Sequence, residues 1–221
     1  MPAECARALG SGDVEVGLVP CAELDRLGLD YLPETGIACE GPVRSILLIS
    51  KRPIREIRTL AVDSGSRSSV ALSRILLAER YGCQPRFEPM APELEPMLAA
   101  CDAALIIGDP ALRLEPAELP YEALDLGAEW VEWSGLPMVF AVWAGKKAHL
   151  TADVGRTFQD SCQWGLGHID EVIAAGAKER GYREELVREY LTRHIVYELG
   201  PRHIEGLELF RKLARGVSAG V

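Results

Sequence analysis

Asp63, Ser64, Gly65, Ser66, Arg67, Ser68, Ser69 and Val70 follow an apolar strand pattern directly and open a helical one. Free backbone N–H groups at a helix start, the positive end of the helix dipole and clustered hydroxyls together make a seat for a carboxylate or phosphate. Serine at a helix start is also a common N-cap, so the segment alone leaves an anion seat and a plain cap equally open. Its spacing carries neither Gly-x-x-x-x-Gly-Lys-Ser/Thr nor Gly-x-Gly-x-x-Gly, so the principal nucleoside-triphosphate and dinucleotide signatures are missing. Gly41-Pro42-Val43-Arg44-Ser45 begins a second apolar strand, on which a serine faces either the core or a cleft. Ile106-Ile107-Gly108-Asp109-Pro110 ends a third, with a glycine where backbone could approach a ligand, although Asp-Pro is also a common turn starter.

Other reactive side chains offer less. Arg193-His194-Ile195 and Arg202-His203-Ile204 look like a repeat, but Gly200-Pro201 breaks any shared helix face; with His149 and His168 these histidines read as solvated helix ends, not a metal set. Cys5, Cys21, Cys39, Cys83, Cys101 and Cys162 contain no Cys-x-x-Cys pair and read as buried reduced thiols. Glu23 and Glu40 are candidate acids without readable paired geometry, and Trp130 and Trp133 have the spacing of packing anchors on one helical face.

The elements that must position these groups alternate. Strand patterns at 60–63, 85–88 and 103–107 enclose helical ones at 67–81 and 93–100, a βαβαβ order that demands a parallel sheet. Apolar runs at 43–50 and 137–143 flank that unit, residues 129–133 read as a short turn, and from 151 onward the pattern is helical only. The plan is an α/β two-lobed clamshell with a helical C-terminal part. Residues 1–50 and 137–221 form one lobe, 58–125 an inserted second lobe, and the strands near 43–50 and 137–143 cross between them. Ligands of open α/β sheets sit at strand carboxyl ends, which marks the loops after Ile49, Val62 and Ile107. The chain opens on a helix at 3–9 feeding a strand at 14–19, the second half of a βαβ unit, so a further strand is expected upstream.

The 221 residues, 48% hydrophobic and 26% charged, suit one large core or two small lobes. A formal charge of −9 opposes nonspecific nucleic-acid binding, and neither a secretory signal nor a membrane-spanning run is visible, so a cytoplasmic location is expected.

Residues 12–20, 41–45 and 63–72, the stretch Ala104-Leu105-Ile106-Ile107-Gly108-Asp109-Pro110-Ala111-Leu112, and Ser134-Gly135-Leu136-Pro137-Met138-Val139-Phe140-Ala141-Val142-Trp143 together resemble the chorismate dehydratase family of the futalosine route to menaquinone. The resemblance spans nearly the whole chain. It implies a fold like the type II periplasmic solute-binding proteins and a carbon–oxygen lyase without metal or organic cofactor. Such an enzyme removes water from chorismate to give 3-[(1-carboxyvinyl)oxy]benzoate. The partner is then a small dicarboxylate, with neither nucleic acid nor membrane involved and the oligomeric state open. Two carboxylates require two donor sets: Ser45 with nearby backbone for one, and Ser66, Ser68 and Ser69 on the opposite lobe for the other. Arg67, Ile107, Gly108 and Asp109 complete the expected substrate-binding set. The family's active-site asparagine belongs to a Ser-Tyr-Leu-Asn-like loop that this sequence lacks, so no residue here is assigned as the catalytic base and a weak or inactive catalyst is expected. Rival readings are a carboxylate-binding clamshell without catalysis and the related dihydroxynaphthoate synthase of the same route; the Gly-Pro-Val-Arg-Ser and Ile-Gly-Asp-Pro-Ala-Leu motifs favour the dehydratase.

Overall fold

A computed structural model describes the backbone of residues 2–63 and 67–218. The amino-terminal part comprises α1 (Pro2–Ser11), β1 (Val16–Pro20), the one-turn α2 (Leu24–Leu27) and β2 (Asp30–Cys39). The middle comprises β3 (Ile46–Ser50), β4 (Thr59–Val62), α3 (Arg67–Glu79), β5 (Arg86–Pro89), α4 (Leu94–Ala100), β6 (Ala103–Ile107), α5 (Asp109–Leu112) and β7 (Glu122–Asp125). Next come α6 (Leu126–Ser134), β8 (Met138–Gly145), α7 (Ala152–Gly167), α8 (Ile169–Arg180), α9 (Glu184–Glu189), β9 (Val196–Glu198) and α10 (Pro201–Ser218).

Two sheets result. The first has the order β1-β8-β2-β9 with every pair antiparallel; the second has the order β5-β4-β6-β3-β7, with β4 parallel to β5 and β6 and β3 antiparallel to β6 and β7. The βαβαβ unit expected from the alternation is β4, α3, β5, α4 and β6.

Several expectations change. Neither apolar run crosses between lobes as a strand: β3 begins at Ile46 and lies inside the second sheet, and β8, which holds the run at 137–143, lies inside the first between β1 and β2. Its alternate residues enter different cores, Ile46 and Leu48 the large one and Leu47 and Ile49 a smaller one with Met97, Leu98 and Cys101. Burial on both faces is why the run is apolar without alternation. The 129–133 turn is part of helix α6, capped by Asp125 at its start and by left-handed Gly135 at its end. Three strands carry no clear pattern. β2 holds Pro33 and Gly36 and shifts register beside them, while β7 and β9 are short sheet edges.

The chain passes between the sheets at 40–45 and through α6. Both passages meet at Asp125, whose carboxylate accepts the N–H groups of Val43 (2.9 Å), Arg44 (2.6 Å), Gly127 (2.9 Å) and Ala128 (3.1 Å). Gly127 lets them touch, because a Cβ there would lie 2.7 Å from Cys39 Sγ and 2.8 Å from the Gly41 carbonyl. The large core is continuous from sheet to sheet. Leu72 and Ile75 of α3, Leu207 and Phe210 of α10 and the fully buried Trp130 belong to the same cluster as Val139 and Val142 of β8. Trp130 packs edge-on against Phe210 and Trp133, and its Nε1–H donates to the Pro137 carbonyl at 3.2 Å. No helix among the described residues is long and apolar enough to cross a membrane.

Candidate active site

Strand direction chooses the edge at which a site can form. β3 pairs antiparallel with β6, Ile46 opposite Ile107, while β4 and β7 run with β6. Therefore Val62, Gly108, Asp109 and Asp125 at strand ends share one edge with Ser45 at the start of β3. The loop after Ile49, expected at the site, lies at the far edge instead, where Lys51 N–H donates to Asp102 O (3.0 Å) and Arg52 pairs with the Asp102 carboxylate (2.8 Å). Ser45 and the start of α3, expected on opposite lobes, both belong to the second sheet and its helices, because the segment at 46–50 pairs with β6.

Ser45 is set by its backbone. Arg44 has a φ of 66°, which an L-residue adopts only under constraint. That constraint is visible: Asp125 takes the Arg44 N–H, and the Arg44 guanidinium turns away to the carbonyls of Ala111 and Leu114 and to Glu115. Ser45 N–H donates to Val43 O, and Ser45 O accepts from Gly108 N–H, both at 2.7 Å. Gly108 itself has a φ of 68° and open space where a side chain would stand. Ser45 is 4% exposed, and the Tyr190 hydroxyl donates to its Oγ at 3.1 Å. Burial raises the Tyr190 pKa against an opposing pull from Ser45, and burial pushes that of neighbouring-strand Tyr197 up to about 12; both phenols are neutral donors at ordinary pH.

The start of α3 is wired differently. Ser68 Oγ accepts from Ala22 N–H (3.3 Å) and donates to the Phe140 carbonyl (3.1 Å), tying the helix to both the turn after β1 and to β8. Arg67 Nε stands 3.0 Å from the carboxylate of buried Glu23, which Arg26 also engages. Ser69 is buried. Ser66 lies outside the described residues, as do Ser64 and Gly65.

A third group comes from the C-terminal part, for which the local pattern holds no signal. The Asp109 carboxylate meets the Arg180 guanidinium at 2.6 Å, the Tyr182 hydroxyl donates to Asp109 O at 3.0 Å, and Arg113 lies over the Tyr182 ring at 4.7 Å. His194 Nδ1 is 2.8 Å from the Pro42 carbonyl. Residues 180–194 thus form a strap that follows α8, touches the second sheet's end at 109 and 45 and the passage between the sheets at 42, and returns to the first sheet as β9. His194 and His203 are not solvated helix ends. His203 is 7% exposed, and its Nδ1 accepts Gly200 N–H (3.1 Å). Burial lowers its pKa against the opposing charge of Glu40 at 3.4 Å. All six cysteines are free, with Cys21, Cys39 and Cys101 buried and Cys5, Cys83 and Cys162 half-buried. Burial pushes the Cys39 thiol up to about 12. No group of three or more His, Cys, Asp or Glu side chains among the described residues could hold a metal ion.

A family model described as menaquinone biosynthesis matches residues 1–216. The chain belongs to that family. A curated relative, the chorismate dehydratase of Thermus thermophilus, is 34% identical over 211 residues, covering 86% of this chain and 76% of the relative. Among solved structures, a protein from Archaeoglobus fulgidus is similar with a TM-score of 0.76 and 18% identity, covering 99% of this chain and 85% of that one. The periplasmic aliphatic sulphonate binding protein SsuA from Escherichia coli is similar with a TM-score of 0.64 and 16% identity over 99% of this chain and 79% of its own. The fold of this menaquinone-biosynthesis family member is therefore of the periplasmic-binding-protein kind.

Proposed function

We propose that the protein is a chorismate dehydratase of menaquinone biosynthesis, eliminating water from chorismate to give 3-[(1-carboxyvinyl)oxy]benzoate. The observation that carries this reading is the 34% identity to a chorismate dehydratase across 86% of the chain, within a menaquinone-biosynthesis family match from residue 1 to 216. In the reaction the ring C3–H bond breaks and its electron pair enters the ring as the C4–O bond breaks, so that proton and hydroxide leave as water and the ring becomes aromatic. Aromatisation supplies the driving force. The protein is left to hold a dianion in a dry cleft in the geometry from which the proton departs.

Ser45 suits one carboxylate: it is buried, its backbone is fixed on both sides, and its Oγ already receives one hydrogen bond. The first turn of α3 suits the other through backbone N–H groups and the helix dipole, while the Ser68 hydroxyl serves to hold that turn against Ala22 and Phe140. Gly108 supplies space beside Ser45, and Asp109 acts on the strap through Arg180 instead of on the anion. The test is direct. Purified protein is mixed with chorismate, and the expected outcome is chorismate binding with slow formation of an aromatic acid lighter by one water, detected by mass spectrometry. Saturable binding of an amino acid or an alkanesulfonate with no chorismate binding or turnover overturns the reading in favour of a solute receptor.

A further inference from the structure

Ser45 and Tyr190 stand 145 positions apart in sequence, and their hydroxyls meet at 3.1 Å in a place that is largely dry. A serine hydroxyl has one proton to give and two lone pairs that accept. Here one lone pair takes the phenol proton, the phenol being the more acidic hydroxyl, and among the described residues the serine proton has no acceptor. A hydroxyl that accepts from a phenol becomes a stronger donor through polarisation of the chain of hydrogen bonds. Its proton is directed away from Tyr190, and Gly108, whose N–H donates to the Ser45 carbonyl, has open space where a side chain would stand. Burial keeps the phenol protonated, so this direction does not reverse at ordinary pH.

We infer that Tyr190 is a positioning residue that fixes the Ser45 hydroxyl as a donor to a ligand carboxylate, and that the strap carrying Tyr190 thereby completes the binding site from the other sheet. This rests on the proposed function for the identity of the ligand. Tyr190 belongs to a π-helical turn, Tyr190–His194, between α9 and β9, and β9 is paired to β2 of the first sheet. Ser45 begins a strand of the second sheet. The hydrogen bond therefore joins a segment anchored on the first sheet to the start of a strand of the second.

The experiment is a double-mutant cycle of Tyr190→Phe and Ser45→Ala. It is read in chorismate KM and kcat, in calorimetric affinity for chorismate and for the simple aromatic dicarboxylate isophthalate, and in Tm. Tyr190→Phe keeps the ring and removes only the proton donor. The expected result is a five- to tenfold rise in KM and in both dissociation constants, a much smaller change in kcat, and almost no further loss when Tyr190→Phe is added to Ser45→Ala. Equal losses from Tyr190→Phe in the wild-type and Ser45→Ala backgrounds, or an unchanged KM, overturn the inference, because a merely structural tyrosine acts independently of Ser45. Should Tyr190→Phe fail to fold, Ser45→Ala decides: unchanged affinity for both dicarboxylates overturns the inference, because there is then no ligand-binding hydroxyl for Tyr190 to position, and a loss of more than tenfold sustains it. A wild type that binds isophthalate but neither binds nor turns over chorismate overturns the proposed function, and the affinity cycle with isophthalate still judges Tyr190. A wild type that binds neither overturns both.

Discussion

Ser45 and Ser68 are both 4% exposed, both lie at the same edge of the second sheet, and both precede or open an element of it. Their hydroxyls nevertheless have different work. Ser68 accepts from Ala22 and donates to Phe140, so its one proton is already taken within the protein. Ser45 accepts from Tyr190, and its proton has no acceptor among the described residues. Residue type and burial are the same; the count of unsatisfied bonding directions separates a tether from a binding group.

Asp125 offers the harshest way to break that contrast. Asp125→Ala removes the acceptor of four backbone N–H groups, two of which fix the approach to Ser45. The expected loss is on the order of 3 kcal/mol of folding stability, summing a helix cap and two further buried donors. Denaturant unfolding measures it, and chorismate affinity falls in the protein that remains folded. An unchanged unfolding midpoint would show that Asp125 does not organise the crossing.

Ser45→Ala sharpens the contrast from the binding side. It loses roughly 1.5–3 kcal/mol of ligand affinity, the worth of a hydrogen bond to a charged group, with Tm nearly unchanged. Calorimetry beside thermal unfolding reads both. A fall in Tm with affinity intact would turn Ser45 into a second Ser68.

Ser68→Ala is the reciprocal variant. It leaves Ala22 N–H and Phe140 O without their partner, a cost of about 1–3 kcal/mol in stability, and for a chain of this size Tm falls roughly 2–4 °C per kcal/mol. Affinity of the folded protein for chorismate is expected to hold. Selective loss of affinity without loss of Tm would make Ser68 a ligand contact and erase the difference.

The smallest effect belongs to the strap. Asp109 and Arg180 are about half exposed, 46% and 55% by side chain, and such a pair contributes at most about 1 kcal/mol before salt screening. Asp109→Asn should speed ligand release in stopped-flow measurements, with equilibrium affinity little altered. Added salt should speed release from the wild type and have less effect on the variant. A release rate indifferent to both would show that the strap is not opened at this pair.

Much of the second lobe is legible in the sequence alone. Leu60-Ala61-Val62, the helix from Arg67 and the run ending at Ile107 announce themselves through period and punctuation, since each is buried along most of its length or along one full face. The first sheet was legible only in part, because β2 carries Pro33 and Gly36 within a bulged ladder and β9 has three residues. Serine 45 stood out only through the motif around it. Nothing near Tyr190, Arg180 or Tyr182 marked them for the site, and the polar bonds of residues 180–194 to the second lobe are all long-range.

What the amino-acid sequence determined by itself is the α/β character, the parallel βαβαβ unit and the family, since those depend on local propensity, hydrophobic period and residue order. Tertiary structure alone decided which way β3 runs, and with it the edge where Ser45 meets Gly108 instead of the loop after Ile49. It also decided that Arg67 faces Glu23 and that Tyr190 faces Ser45. The physical reason is that strand direction and hydrogen-bond satisfaction are properties of pairs: a strand or hydroxyl brings the same chemistry to every environment, and only the partner packed against it fixes which bonds are left over for a ligand.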